Sequence, residues 1–81
     1  MAHVNKVNRS IEAPGGGRCV DLFTRPDGSF GFEEYRRDPE DGSGWYPVGH
    51  HAGAMFPTEA ASLAEARRRV GWLPLVLDPD G

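Results

Sequence analysis

The sequence predicts an α+β fold, in which a three-stranded antiparallel β-meander packs against one C-terminal α-helix. Three features predict it: a hairpin signal at Pro26-Asp27-Gly28, an aromatic segment after an acidic loop, and a helical segment that begins near Thr58. The 81 residues suffice for one small domain but not for two. We expect residues 19–77 to form this domain, between a flexible tail over 1–18 and a frayed end over 78–81.

The first 18 residues contain three consecutive glycines at 15–17 and carry more basic than acidic side chains. Glycine loses the most conformational freedom on folding and brings no side chain to pack. The stretch is therefore interpreted as a mildly basic tail joined by a flexible linker. A short strand over residues 7–11 is the alternative interpretation.

Residues 19–24 and 29–36 have strand-like composition and flank the turn at Pro26-Asp27-Gly28. Proline presets φ in such a turn, and glycine accepts the left-handed position that closes a three-residue hairpin loop. The register set by this loop places Leu22 opposite Phe32, Val20 opposite Glu34, Asp21 opposite Glu33, Phe23 over Gly31, and Cys19 near Tyr35. One face of the hairpin then gathers the predicted core: Val20, Leu22, Phe30 and Phe32.

The acidic loop over residues 38–44 leads to a predicted third strand over 45–51. Pro47 cannot donate to a ladder, so this strand belongs at a sheet edge. In the helix that follows, Thr58 is the expected N-cap and Gly71 the expected left-handed stop. The predicted apolar stripe of this helix consists of Ala60, Leu63, Ala66 and Val70, extended by Phe56.

Composition excludes several classes of protein. The formal charge of −3 is too small to enforce disorder, and no apolar run approaches the length of a membrane span. The N-terminal residues do not resemble a secretory signal, and the single cysteine fits a reducing compartment. We therefore expect a cytoplasmic protein that has no membrane partner.

No motif indicates catalysis, a metal site or a cofactor. His50 and His51 are adjacent, so on a strand they point to opposite faces and do not easily share one metal. Cys19 has no local signature of a nucleophile, and residues 38–49 fail the calcium-loop pattern. The glycines before Arg18 lack the Lys-Ser/Thr pair of a phosphate-binding loop. The sequence predicts a protein that is not an enzyme.

Large apolar side chains outnumber those that a single helix covers, which favours a protein-interaction module. The partner is expected to be a second copy of the chain, giving a homodimer, or another protein. The predicted contact surface consists of Trp45, Tyr46, Trp72, Leu73, Leu75, Val76 and Leu77. The alternative is a module that binds single-stranded nucleic acid through an arginine-rich aromatic sheet face. Its contacts would be Arg25, Tyr35, Arg36 and Arg37.

A layout of four segments carries one resemblance: the hairpin at 23–35, Gly44-Trp45, the helix entry Phe56-Pro57-Thr58, and the exit Gly71-Trp72-Leu73. This layout resembles small bacterial proteins, known only as domains of unknown function, that have a short antiparallel sheet and one helix. The resemblance covers roughly residues 19–73 and implies the fold alone.

Overall fold

The computed structural model of the protein describes residues 5–38, 40, 42 and 44–78. The elements occur in the order β1 (Lys6–Glu12), β2 (Arg18–Thr24), β3 (Phe30–Arg36), β4 (Tyr46–Pro47), α1 (Glu59–Arg69) and α2 (Leu73–Leu77). The strands form one antiparallel sheet in the order β1-β2-β3-β4. The α+β class is confirmed, with a fourth strand and a second helix beyond the predicted elements.

The β2–β3 hairpin has the predicted register. Leu22 lies opposite Phe32, Val20 opposite Glu34, Asp21 opposite Glu33, and Cys19 opposite Tyr35. Phe23 packs so closely over Gly31 that a Cβ atom at Gly31 would lie 2.8 Å from the Phe23 ring. This close approach explains why glycine occupies the position, since any side chain there would displace Phe23.

The tail predicted over residues 1–18 is a strand from Lys6 to Glu12, so the alternative interpretation is the one that the structure supports. β1 pairs along β2, and Ile11 opposite Val20 joins the core at 7% exposure. Residues 13–17 form a tight hairpin turn, closed by a hydrogen bond from the Ala13 N–H to the Arg18 carbonyl. The glycines thus turn the chain between two strands, and the folded domain begins well before residue 19. Residues 1–4 lie outside the described part of the chain.

The predicted third strand is shorter than expected. Only Tyr46 and Pro47 pair with β3, because proline cannot extend the ladder. The following residues, 48–56, form an edge loop along the rest of β3, with Val48 donating to the Glu34 carbonyl and Phe56 exchanging two hydrogen bonds with Phe30. The prediction that the segment lies at an edge is confirmed.

Helix α1 begins as predicted, because the Thr58 side chain accepts a hydrogen bond from the Ala61 N–H. Two details of the prediction are wrong. Ala60 is exposed, and Ser62 occupies the buried face beside Ala66. Gly71 does not take a left-handed conformation; Val70 ends the helix in an extended conformation, and its N–H donates to Ala66.

The core lies between the sheet and the two helices. Its buried apolar residues are Ile11, Val20, Leu22, Phe32, Ala66, Val70 and Leu73. The helices cover this one face of the sheet, which we call the covered face. The opposite face of the sheet, the open face, bears the alternate side chains of the same strands.

Candidate functional site

The open face carries a pocket of about 190 Å³, which we call the open-face pocket. Alternation along three strands brings its residues together, because side chains two positions apart share a face. Strand β1 contributes Ser10 and Glu12, β2 contributes Cys19 and Asp21, and β3 contributes Tyr35. Trp45, which directly precedes β4, completes the wall.

Cys19 lies at the base of this pocket with 7% of its surface exposed. Burial, together with the nearby carboxylates of Asp21 and Glu12, raises the pKa of its thiol from 9.0 to about 11. The thiolate is the nucleophilic form of cysteine. The thiol therefore stays protonated at neutral pH.

Two carboxylates give the open-face pocket a negative potential. Asp21 accepts a 2.5 Å hydrogen bond from the Ser10 hydroxyl, and Glu12 is exposed on the next strand. The pKa of Tyr35 is raised by burial and by the charges of Asp21 and Glu33. The negative charge of Asp21, which hinders ionisation of the Tyr35 hydroxyl, would favour a positive charge in the same pocket.

Trp45 supplies an aromatic wall that is 37% exposed. The guanidinium of Arg37 lies over its ring at 4.6 Å from the centroid, and Arg37 Nε donates to the Gly16 carbonyl at 2.9 Å. Arg37 thus already forms a cation–π contact with the Trp45 indole. An acidic floor and aromatic walls are the elements with which proteins recognise organic cations.

The predicted contact residues fall on two separate surfaces. Trp45 and Tyr46 are both exposed, and Trp45 lines the open-face pocket. Trp72, Val76 and Leu77 pack partly against the core on the covered face. Leu73 is fully buried, so it cannot form part of a contact surface, whereas Leu75 is 74% exposed. The separation arises because α2 follows α1 onto the covered face, while the segment before β4 lies across the sheet.

The predicted nucleic-acid contacts are also dispersed. Arg25 lies over Phe23 and donates to the carbonyl oxygens of Ala52 and Ala54, so its guanidinium ties the hairpin turn to the edge loop. Tyr35 lies in the open-face pocket. Arg36 and Arg37 line another pocket, at the end of the sheet beside the glycine turn.

His51 stacks on Phe32 with ring centroids 4.9 Å apart.

The part of the chain that the structure describes contains no group of three or more His, Cys, Asp or Glu side chains arranged around a metal position. The acidic loop for which the sequence predicts no calcium site includes residues 39, 41 and 43, which lie outside the described residues.

Sequence reasoning missed Ser10 and Glu12 because it placed both in a flexible tail. Their signal was the alternation around Ile11, which leaves two polar side chains on the face opposite one apolar side chain. It was missed because the three glycines that follow were interpreted as a linker instead of a turn.

Comparison of the chain with protein-family models, curated proteins and solved structures found no significant match. Neither helix found in the described residues has the length and apolar character that crossing a membrane requires.

Proposed function

We propose that the protein is a non-enzymatic interaction module that binds a cationic side chain of a partner protein in the open-face pocket. One observation carries this proposal: two carboxylates and two aromatic rings surround a single cavity on the face of the sheet that the helices leave uncovered. A lysine or arginine side chain has an apolar stem and a charged head. It would lay the stem along Trp45 and Tyr35 and direct the charge to Asp21 and Glu12.

The electrostatics of the described residues favour a cation over an anion at this position. Asp21 and Glu12 both act on Cys19 to raise its pKa, and the one opposing charge there is Arg37, which is already engaged by Trp45 and Gly16. A guest cation would therefore meet two carboxylates against the single guanidinium of Arg37. The protonated thiol and phenol beside them add no charge of their own.

The proposal is tested by titrating the protein with the blocked tripeptide Gly-Arg-Gly while amide and side-chain NMR signals are followed. We expect saturable shifts at Tyr35 and Trp45, and a matched peptide with citrulline in place of arginine should bind at least tenfold more weakly. Citrulline keeps the shape of arginine and removes its charge. Equal binding of the two peptides would show that the pocket does not recognise cations.

Variants of the protein provide the second half of this test. Glu12→Gln removes one charge from the pocket, and we expect it to weaken binding of the arginine peptide about tenfold, since about 1.4 kcal/mol corresponds to that factor. Glu59→Gln removes the same charge from an exposed position in the first turn of α1. If both variants bind as the wild type does, the carboxylates of the open-face pocket are not the recognition element.

We further propose that the chain self-associates through a second surface, an apolar groove between the end of β1 and α2. This tail groove has a volume of about 560 Å³ and is lined by Glu12, Ala13, Pro14, Trp72, Leu75 and Val76. Leu75 is 74% exposed at its rim. In a twofold dimer the same patch of both copies meets, so Leu75 of each copy could enter the groove of the other, and a second copy is the occupant that we propose.

A further inference from the structure

A second polar pocket lies at the end of the sheet where the glycine turn meets the end of β3. This glycine-turn pocket has a volume of about 390 Å³, and its lining includes Pro14, Gly15, Gly17, Arg18, Arg36 and Arg37. It is separate from the open-face pocket, and the two share no lining residue. Its lining side chains carry three positive charges and no negative charge.

Two of these arginines are placed directly opposite each other in the sheet. Arg18 of β2 pairs in register with Arg36 of β3, and like charges at opposed positions destabilise a ladder unless something neutralises them. Arg18 lies 3.6 Å from a Glu34 oxygen, but the same oxygen accepts a hydrogen bond from the Trp72 indole. The pocket therefore retains positive charge that one shared carboxylate does not balance.

The third arginine is held in position by the turn itself. Arg37 donates from its backbone N–H to the Gly17 carbonyl at 3.0 Å and from Nε to the Gly16 carbonyl at 2.9 Å. Trp45 supports its guanidinium from the side of the open face. Among the described residues, neither Arg36 nor Arg37 forms an ion pair with a carboxylate.

The turn also offers backbone donors. Gly15 and Gly17 line the pocket, and within the described part of the chain their N–H groups have no acceptor. Gly15 has φ of +93°, a conformation that side chains rarely adopt. Backbone N–H groups and guanidinium groups are the donors with which proteins bind phosphate oxygens, and residues that carry both line this cavity.

From this arrangement we infer that the glycine-turn pocket binds the dianionic phosphate group of a small molecule. A phosphate monoester carries a charge of about −1.5 to −2 at neutral pH, which matches the two arginines that have no described carboxylate partner. Its oxygens would accept from the three arginines and from the glycine N–H groups. The site is independent of the proposed cation pocket and has the opposite charge preference.

The experiment is an NMR titration of the full chain with inorganic phosphate and, separately, with ribose 5-phosphate, at an ionic strength held constant with sodium chloride. We expect saturable shifts at the Gly15 and Gly17 amides and at Arg37 Nε–H. Tighter binding of ribose 5-phosphate would identify an organic phosphate as the ligand. Equal binding would identify the phosphate ion itself.

Matched variants test whether the pocket or the general charge of the protein is responsible. Arg36→Gln is expected to weaken phosphate binding at least tenfold, and Arg18→Gln should do the same. Arg9→Gln, which removes the same charge from an exposed position of β1, should leave the affinity within twofold of wild type. Absence of saturable shifts, or equal loss in the Arg9 and Arg36 variants, would overturn the inference.

Discussion

The indole Nε1 of Trp72 donates a hydrogen bond to a carboxylate oxygen of Glu34 at 3.0 Å. The contact joins the segment after α1 to the middle of the sheet, because Glu34 lies opposite Val20 on the covered face. Glu34 is only 9% exposed. A carboxylate on the core side of a sheet requires hydrogen-bond donors, and Trp72 together with Arg18 provides them.

We therefore expect Trp72→Phe to lower the free energy of unfolding by about 1–3 kcal/mol, since a buried acceptor loses its donor. Glu34→Gln should cost less than this, because the amide oxygen can still accept from the indole. Urea denaturation of both variants measures the difference. Glu40→Gln, at an exposed position, is the control and should match wild type; a Trp72→Phe variant as stable as wild type would contradict the prediction.

Glu33 fastens the edge loop to β3. One oxygen accepts from the N–H of His51 at 3.2 Å and the other accepts from Ala52 at 3.2 Å. Glu33→Ala should free these two amides, and we expect their hydrogen exchange to accelerate at least tenfold. Amides in β2 serve as the internal reference; uniform acceleration in β2 as well would mean that the whole fold was lost instead.

Cys19 should react slowly with alkylating reagents. With a pKa of about 11 in place of 9.0, its thiolate fraction at pH 8 is about a hundredfold lower, and the rate should fall in proportion. Asp21→Asn removes a charge that raises this pKa, so the variant should react faster, whereas Asp27→Asn on the exposed turn should not. Iodoacetamide labelling followed by mass spectrometry gives the rates, and urea-unfolded protein provides the reference rate.

The end of α1 should lose stabilisation in acid. Arg68 and Arg69 hydrogen-bond to Glu65 and lower its pKa from 4.5 to about 2. A carboxyl whose pKa is lower in the folded state stabilises the fold above its unfolded pKa, and the stabilisation is lost as the pH falls from about 4.5 to about 2. The pairs are exposed, so the effect should shrink in 1 M salt.

Carboxyl NMR titration measures this pKa directly. Unfolding curves for wild type and Glu65→Gln should converge as the pH falls through the same interval, while Glu59→Gln should follow wild type. A Glu65 carboxyl that titrates near 4.5 would show that the arginines do not hold it in solution.

Self-association through the tail groove predicts that molar mass depends on concentration and on Leu75. Light scattering should give about twice 8.9 kDa at high concentration for wild type and the monomer mass for Leu75→Glu. Met55 is also exposed, at 61%, but lies in the edge loop, so Met55→Glu is the matched control and should still associate. A wild type that is monomeric at all concentrations would end this proposal.

The hairpin and the helix start were predictable because local chemistry determines them. The turn at Pro26-Asp27-Gly28 fixes the pairing of β2 with β3, and Thr58 determines where α1 begins. Both depend on residues only a few positions apart. Local signals of this kind can be recognised in a sequence without knowledge of its long-range contacts.

The remaining errors involve long-range contacts. Strand β1 has six exposed residues and one buried one, so its pattern alone is weak and β2 stabilises it through pairing. Ser62 is buried where Ala60 was expected, because tertiary packing decides which face of α1 meets the sheet. The open-face pocket needs β1 in place. The predicted hairpin register placed Cys19 near Tyr35, but it did not predict the pocket that these residues line with Ser10 and Glu12.

The edge loop also determines how many copies could join through their sheets. The loop covers the edge of β3 beyond β4. In the part of the chain that the structure describes, β1 is then the sheet edge that is open to strand addition. A molecule with two open sheet edges can polymerise into a fibre, whereas a molecule with one open edge can add a strand from only one other copy. The hydrogen bonds that Glu33 accepts from the loop thus help to close one edge of the sheet to strand addition.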